Sequence, residues 1–397
     1  MGLSTLPIHK ITMQQPSSPP PSAAEASSVW IRRPAIVVLI VAAVVLPCSV
    51  IYLAGPAAPD VLSSSSARWK RTLPFLLVPD SAAAANGTNT TAAAAAAADG
   101  VVSDHPEEDN EQARLRKVLE GAATEDKTVI LTTLNSAWAS KDSVIDIFME
   151  SFRIGNGTRG LLEHLVVIAM DREAYERCAS FHPHCYALVT EGVDFSGQKN
   201  FMSAGYLKMM WRRTNFLREV LEMGYNFVFT DTDIMWFRNP FPHFYPDGDF
   251  QIACDHFVGN ELDLNNSPNG GFIYVKSNNR TIQFYKFWCA SKERYPGRHE
   301  QDVLNFIKRD PFVREIGLQM RFLNTAYFGG LCEPSRDFNK VCTMHVNCCI
   351  GLSRKIYDLK LMLDDWRNYM AMPPERKISE GHTWSVPKNC SFAPLQH

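Results

Sequence analysis

The sequence lacks an excess of either charge, because 40 lysine and arginine residues stand against 42 aspartate and glutamate residues, a formal net charge of −2. Proteins that bind nucleic acid usually carry a basic domain or stripe, so this balance argues against that class. The sequence also lacks G-x-G-x-x-G, G-x-x-x-x-G-K-[ST] and G-x-S-x-G. Dinucleotide-binding, P-loop and serine-hydrolase functions are therefore without their motifs.

Long apolar runs are scarce, and the one uncharged run of membrane-spanning length covers residues 34–54. A helix needs roughly 20 apolar residues to cross a bilayer, so this run predicts a transmembrane signal anchor. The alternative is a cleaved signal peptide, which fits poorly because 33 residues precede the run and it exceeds a usual signal core. Arg32 and Arg33 next to the run favour a cytoplasmic tail over residues 1–33.

Residues 55–127 lack the composition of a folded core. They include an unbroken alanine run from Ala92 to Ala98, which is typical of a flexible stem. The charged, leucine-containing segment from Pro106 to Ala122 predicts a short helix that leads into the next region. The evenly globular residues 128–397 then form the folded domain.

Paired C-x-x-C spacings are absent, which argues against a zinc site. Nine of the ten cysteines nevertheless follow the apolar run, a number that suits an oxidising compartment, and Cys178 with Cys185 is the preferred local disulfide. Six N-x-[ST] sequons also follow the run, at Asn86, Asn89, Asn156, Asn265, Asn279 and Asn389. Together these features predict a single-pass type II protein of the Golgi membrane with a luminal C-terminal domain.

Short β-branched and apolar runs alternate with amphipathic stretches from residue 128 onward. Strands are predicted at Thr128–Leu134, His164–Met170, Tyr186–Thr190 and Tyr225–Thr230, and helices at Val144–Arg153, Glu173–Cys178 and Ala204–Met223. This alternation predicts an α/β fold with a mainly parallel sheet and helices on both faces. Ligands of such sheets bind beyond the carboxyl ends of the strands.

Two carboxylates, Asp231 and Asp233, follow the apolar run Phe227–Thr230 directly. A D-x-D pair is often only a turn, but at the end of a buried strand both side chains can reach one cation. Oxygen ligands suit Mn²⁺ or Mg²⁺, and the remaining coordination positions can take diphosphate oxygens. The pair is therefore a candidate metal and diphosphate site.

The segment Thr230-Asp-Thr-Asp-Ile-Met-Trp-Phe-Arg-Asn-Pro240 resembles the central motif of the plant nucleotide-diphospho-sugar transferase domain family. The resemblance spans most of residues 128–370. It continues through Thr132–Asn135, Glu191–Ser196, Leu207–Arg213, Pro268–Phe272, Gln301–Asn305, Tyr327–Gly330 and Met344–Cys349. It implies the GT-A glycosyltransferase fold, a Rossmann-like architecture shared with arabinosyl- and xylosyltransferases of the plant cell wall.

The resemblance also implies roles for single residues. Asp231 and Asp233 bind the metal and the donor, and His345 completes the metal ligands. Gly351 and Lys355 then follow at a spacing longer than the family's H-x-x-G-x-x-K element. Lys355 is accordingly a candidate donor contact, with a less secure position than His345.

Further candidates surround the donor. Thr132, Thr133 and Asn135 end the first strand, where the nucleoside is expected, and ordinary turn chemistry is their alternative role. Lys208, Arg212 and Arg213 precede the D-x-D strand, and one of them, with Arg212 preferred, is expected to contact the donor.

The donor sugar has its own expected contacts. Asn269, Gly270 and Gly271 are predicted to lie beside it, although they also read as a hairpin turn. Glu300, Gln301 and Asp302 are the catalytic candidates near the anomeric carbon, and their alternative role is helix capping.

The sequence thus predicts a metal-dependent enzyme that moves a sugar from a nucleotide diphosphate, with UDP favoured, to a cell-wall glycan or glycoprotein acceptor with retention of configuration. A weakly catalytic glycan-binding scaffold and a nucleotide-sugar hydrolase stay open as alternatives. Donor sugar, acceptor, nucleophile, disulfide connectivity and oligomeric state are not determined by these residues.

Overall fold

The computed structural model describes residues 106–379 and 381–390. The predicted anchor at 34–54 and the stem before residue 106 lie outside these residues. Within the described part of the chain, no helix has the length and apolar character that crossing a membrane requires.

A seven-stranded sheet organises the domain, with the strand order β3-β2-β1-β4-β7-β6-β8. Its strands are β1 Thr128–Leu134, β2 Leu165–Ala169, β3 Cys185–Ala187, β4 Asn226–Thr230, β6 Phe250–His256, β7 Ser267–Val275 and β8 Met320–Phe322. Four neighbouring pairs are parallel, and only β7 runs antiparallel to its neighbours β4 and β6. The predicted α/β class with a mainly parallel sheet is confirmed.

A second, three-stranded sheet has the order β5-β10-β9. Its strands are β5 Ile234–Trp236, β9 Phe328–Gly330 and β10 Thr343–His345. Three residues separate the end of β4 from the start of β5, so the chain passes from the large sheet to the small one through Asp231-Thr232-Asp233. The D-x-D motif is therefore the junction of the two sheets.

Helices cover both faces of the large sheet, as predicted. They are α1 Pro106–Ala122, α2 Ser136–Ala139, α3 Val144–Ile154, α4 Arg172–Ala179, α5 Ala204–Glu222, α6 Asn279–Arg294, α7 Glu300–Ile307, α8 Pro311–Glu315, α9 Leu352–Ala371 and α10 Pro374–Ser379. Alternate residues of β1 enter two separate cores, Ile130 with α3 and α9, and Val129 and Leu131 with α1, α5, α6 and α7. This two-residue alternation is the direct consequence of strand geometry.

The structure departs from the predicted elements at two places. Helix α1 buries Leu115, Leu119 and Ala122 in the core beside β2 and β3, so the folded unit begins before the predicted boundary at residue 128. The third strand is shorter than predicted and ends at Ala187 rather than Thr190. Val189, which follows the end of this strand, is exposed and lies outside the sheet.

Three disulfides fasten the described residues. The predicted pair Cys178–Cys185 is present, together with Cys332–Cys348 and Cys349–Cys390. Cys254, Cys289 and Cys342 are free thiols.

Candidate active site at the junction of the two sheets

Sheet pairing brings Asp231, Asp233 and His345 together. Strand β10 runs antiparallel to β5 and places His345 opposite Ile234, the residue after Asp233. The Val346 amide then donates to the Asp233 carbonyl at 3.0 Å. Residues more than 110 positions apart in sequence thus meet at the carboxyl end of β4, as the resemblance implied.

The three side chains match the ligand set of a divalent cation. His345 Nε2 lies 3.2 Å from Asp233 Oδ1 and 4.0 Å from Asp231 Oδ2, and one ligand atom from each residue falls within 4.8 Å of the others. Adjacent ligands of an octahedral cation with bonds of about 2.1 Å are separated by about 3 Å. Two carboxylates and an imidazole therefore fit Mn²⁺ or Mg²⁺ in both chemistry and spacing.

Lys355 belongs to the same cluster despite its imperfect sequence spacing. Its ammonium, on the first turn of α9, donates to Asp233 Oδ2 at 2.5 Å and to the Val346 carbonyl at 2.9 Å. Burial alone would raise the pKa of Asp233, but Lys355 and His345 hold that pKa well below its ordinary value. Asp233 is therefore a carboxylate at neutral pH, with Oδ1 directed at His345.

The structure places Arg213 in the site, whereas the predicted donor contact Arg212 lies on another face of α5. Arg212 pairs with Glu219 at 3.2 Å on the other side of α5. Arg213 is buried and donates to Asp231 Oδ1 at 2.8 Å and to Glu300 Oε1 at 2.7 Å, with its guanidinium 4.7 Å from the Phe229 ring centroid. Successive helix residues point about 100° apart, so only one of the two arginines can face the sheet.

Asp231 differs electrostatically from Asp233. Burial raises the pKa of Asp231, and the nearby Asp233 carboxylate raises it further, while Arg213 opposes both effects. The two carboxylates repel each other in a buried site, so a bound divalent cation would relieve this repulsion. A cluster of carboxylates with shifted pKa values at a strand end is a candidate functional site.

The glycines of the Asn269–Gly271 segment lie inside β7 and not at a hairpin turn. A Cβ on Gly271 would lie 2.6 Å from His345 Cε1 and 2.8 Å from Asp231 Oδ2, so the site requires a residue without a side chain here. A Cβ on Gly270 would meet Glu300 Oε1 only at 3.5 Å. The structure therefore supports the expected close approach of this segment to the site.

Sequence reasoning missed Asp255, which links four segments of the site. Its Oδ1 accepts from the side-chain amides of Asn269 and Asn347, both at 2.8 Å, and its Oδ2 accepts from Gln301 Nε2 at 3.1 Å. Burial raises the pKa of Asp255, although these hydrogen bonds oppose the shift. The available signal was its position at the end of the apolar run Ile252–Cys254, which mirrors Asp231 at the end of β4.

The three catalytic candidates lie side by side at the start of α7 but have different contacts. Glu300 is 1% exposed and pairs with Arg213. Gln301 accepts from the Gly270 amide at 2.8 Å and donates to Asp255, which ties α7 to β7. Asp302 is half-buried on the first turn of the helix, where a carboxylate stabilises the helix N-terminus. The helix cap itself is His299, whose side chain accepts from the Gln301 amide.

The three residues predicted to contact the nucleoside also differ in burial and in hydrogen bonding. Thr132 is fully buried inside β1, paired with Val167, and its hydroxyl has no hydrogen-bond partner among the described residues. Asn135 caps α2 and donates to the carbonyls of Phe195 and Gly197, so it holds the loop after β3. Thr132 and Asn135 thus have structural roles in the strand and the loop, and contact of either residue or of the half-buried Thr133 with a nucleoside stays a prediction.

The model of the family described as nucleotide-diphospho-sugar transferase matches residues 160–359. This range includes Asp231, Asp233, His345 and Lys355. The chain belongs to the nucleotide-diphospho-sugar transferase family. The resemblance read from the sequence is thereby confirmed, and glycosyl transfer from a nucleotide sugar is the chemistry of the family.

Relatives of the transferase chain occur in Arabidopsis thaliana. Uncharacterized protein At4g15970 is 53% identical over 280 residues, 70% of this chain and 73% of that protein. UDP-D-xylose:L-fucose alpha-1,3-D-xylosyltransferase MGP4 is 27% identical over 232 residues, 53% of this chain and 64% of that protein. Among solved structures, mouse xyloside xylosyltransferase 1 aligns at 15% identity over 56% of this chain and 98% of that chain, with a TM-score of 0.34. A TM-score this low supports no transfer of residue roles.

Proposed function

We propose that this transferase moves a sugar from a UDP-sugar to a hydroxyl of a cell-wall glycan or glycoprotein, with a divalent cation at Asp231, Asp233 and His345. The acceptor oxygen bonds to the anomeric carbon, the bond from that carbon to the diphosphate breaks, and UDP and a proton leave. The observation that carries the proposal is the meeting of the three ligands at the strand end where α/β sheets bind their substrates. The activities for which the xylosyltransferase relatives are named support the sugar-nucleotide class.

When bound, the cation supplies positive charge to the departing diphosphate. The protein's own groups add to this field. The Lys355 ammonium lies against Asp233 and the Arg213 guanidinium against Asp231, so two fixed cations flank the carboxylate pair. Such preorganised charges stabilise a developing anion without reorganisation during the reaction.

Glu300, Gln301 and Asp255 form the opposite wall of the site. Gln301 uses both ends of its amide to bind Gly270 and Asp255, so it is positioned to orient the donor sugar rather than to attack it. Glu300 Oε1 accepts from Arg213, and its buried Oε2 lies 3.1 Å from His299 Nε2. We propose retention of configuration, with front-face attack and double displacement through Glu300 as the two routes.

The experiment that tests this function follows UDP release by the full-length protein, with a panel of UDP-sugars, with and without Mn²⁺. Release that depends on Mn²⁺ and rises on addition of an acceptor glycoside, with the sugar recovered on that glycoside, is the expected result. Mn²⁺-dependent release that yields only free sugar would establish the hydrolase alternative. Absence of release and of UDP binding would favour the scaffold alternative.

We further propose that the protein is a type II Golgi membrane enzyme, anchored by residues 34–54 with its domain in the lumen. Three disulfides in the described residues support an oxidising compartment. The sequon asparagines Asn156, Asn279 and Asn389 are all exposed and open to an attached glycan, whereas the Asn265 amide accepts from Arg309. In sealed microsomes the domain should resist added protease, and its digestion would contradict this orientation.

A further inference from the structure

The loop between β3 and α5 is fixed beside the catalytic cluster at both of its ends. The Gly197 carbonyl accepts from Asn135 at 2.9 Å and the Gly197 amide donates to Ser136 Oγ at 3.1 Å, which ties the loop to the end of β1. At the other end Ser203 caps α5 and accepts from the Tyr206 amide. Because β1 and β4 are neighbours, the loop lies at the sheet edge that carries Asp231.

This loop exposes two adjacent apolar side chains. Phe201 is 60% exposed and Met202 is 39% exposed. Met202 has a φ of +65°, a left-handed conformation that costs about 1–3 kcal/mol at a residue other than glycine. Exposure of the Phe201 ring is costly in its own right, because burial of such a ring is favourable by about 1.5–3 kcal/mol.

The Phe201 ring extends an aromatic stack that reaches the catalytic cluster. Its centroid lies 5.4 Å from that of Tyr206 and 6.0 Å from that of His299, and those two rings stack on each other at 5.4 Å. The Tyr206 hydroxyl is 3.0 Å from His299 Nε2, and His299 Nε2 is 3.1 Å from Glu300 Oε2. Glu300 in turn reaches Asp231 through Arg213. One layer of rings therefore separates Phe201 from the buried catalytic cluster.

We propose that Phe201 is the platform on which the acceptor sugar lies. One face of a sugar ring carries mainly C–H groups, and such a face packs against an aromatic ring while the hydroxyls on the rim stay free to react. The acceptor hydroxyl must come within about 3–3.5 Å of the anomeric carbon, so its ring has to lie next to the donor site. The Phe201 ring is 60% exposed and lies on a loop fixed at the sheet edge that carries Asp231, so it is the face that we assign to such a sugar.

The occupant is a sugar residue of the acceptor, and this part of the inference rests on the proposed transferase function. A second copy of the chain or an apolar aglycone are the other occupants of an exposed phenyl ring. Continuity of the stack with Glu300 favours the sugar, because it places the platform where a reacting hydroxyl is required.

The test measures binding of the methyl glycosides of L-fucose, L-arabinose and D-galactose to the full-length protein by saturation-transfer NMR, with diamagnetic Mg²⁺ and UDP present. Phe201→Ala is compared with Phe201→Trp, and with the control Phe306→Ala, a phenylalanine that is 47% exposed on α7. We expect at least one glycoside to bind, with saturation on its C–H face, and Phe201→Ala to weaken it about tenfold. Phe201→Trp should restore binding, and Phe306→Ala should leave it unchanged.

Equal affinity of wild type and Phe201→Ala, or no glycoside binding to wild type, would overturn the platform. A loss of self-association in Phe201→Ala with unchanged glycoside binding would identify a second copy as the occupant. The thermal shift produced by Mn²⁺ and UDP separates this inference from the proposed function. If wild type shows no such shift but binds a glycoside through Phe201, the transferase function fails and the sugar platform stands.

Discussion

Two groups of charged side chains lie at opposite ends of the strands in the large sheet, and we call these ends the Asp231 edge and the Asp249 edge. Asp231 and Asp233 follow the end of β4, whereas Asp249 precedes the start of β6, a strand parallel to β4 across β7. Each group pairs buried carboxylates with lysine or arginine. The open cleft beside Asp249 is large, about 600 Å³, yet nothing there resembles a reaction centre.

The Asp249 edge is electrostatically complete. Its Oδ2 accepts from Arg280 Nε at 2.7 Å and from the Gln319 amide at 3.1 Å, and its Oδ1 accepts from Asn278 at 2.9 Å and again from Arg280. Burial would raise the pKa of Asp249, but these hydrogen bonds lower it overall. A carboxylate with every acceptor position filled stabilises the fold and has no capacity left for a ligand.

The Asp231 edge brings two carboxylates together. Asp231 has a raised pKa and Asp233 has a lowered one, and the Asp233 carboxylate disfavours ionisation of Asp231 although Arg213 pairs with it. The comparison indicates that this edge is marked by two adjacent carboxylates and by the absent side chain of Gly271, rather than by cavity size or by the number of charged residues.

The largest expected contrast comes from removing one charge at each edge. Asp233→Asn should reduce UDP release by at least about a hundredfold, because several kcal/mol of transition-state stabilisation depend on the cation site. Asp249→Asn should keep full activity per folded molecule and lose about 1–3 kcal/mol of unfolding free energy, since buried donors lose their acceptor. Urea denaturation and initial rates on the same preparations measure both. Equal activity losses would erase the distinction between the edges.

The next largest contrast is expected between substitutions of the two adjacent arginines of α5. Arg213→Ala leaves Glu300 buried without its partner, so unfolding free energy should fall by about 3–5 kcal/mol and activity should fall with it. Arg212→Ala removes a partly exposed pair with Glu219 and should cost about 0–1 kcal/mol. Chemical denaturation of the matched variants gives the result. A larger cost for Arg212→Ala would show that the assigned helix face is wrong.

The arginine pair also shows what the sequence could and could not reveal. Arg213 shares a helix face with the buried Met210, Phe216 and Leu217, three or four residues away, and this spacing was readable in advance. The D-x-D motif was predictable because an apolar strand precedes it. Asp255 carried the same signal, but its partners were not predictable, because Asn269, Gln301 and Asn347 come from three segments that only the folded sheets bring together.

Similar reasoning explains the Asn269–Gly271 segment. An Asn-Gly-Gly sequence is typical of a turn, but here it lies inside β7, where Gly271 makes room for His345 and Asp231. The local preference of this sequence for a turn is overridden, because His345 on a distant strand needs the space that Gly271 leaves. The Asn135 side chain likewise has a local structural role, since it caps α2 and anchors a loop.

The two glycines provide a graded test of crowding. Gly271→Ala would place a methyl group 2.6 Å from His345, so we expect Mn²⁺ half-saturation of activity to rise about tenfold or more as His345 is displaced. Gly270→Ala meets its nearest atom at 3.5 Å and should change that value little. Mn²⁺ titration of both variants is the measurement. Identical titrations for Gly271→Ala and wild type would place the metal elsewhere.

The smallest expected effect is a change in melting temperature that has opposite signs for substitutions of the two aspartates. The pKa of Asp231 is raised on folding, so its interactions favour the native state at low pH, and this contribution is lost as pH rises through the folded pKa. The pKa of Asp233 is lowered, so its contribution is present at neutral pH and is lost as pH falls through the acidic range.

Without metal at neutral pH, Asp231→Asn should therefore raise the melting temperature by about 2 °C, and Asp233→Asn should lower it by a similar amount. Calorimetry in the presence of a chelator measures both shifts. A decrease for both variants would show that Asp231 is satisfied in the same way as Asp249.

The central proposal is that Asp231, Asp233 and His345 hold a cation that binds the diphosphate. The most direct measurement is the thermal shift of the full-length protein with Mn²⁺, UDP and both together. Wild type and Asp249→Asn should be stabilised by the combination, by about 2.7 kcal/mol at a hundred times the Kd, and Asp233→Asn should not respond. Equal stabilisation of wild type and Asp233→Asn would contradict the claim and place the nucleotide site elsewhere in the chain.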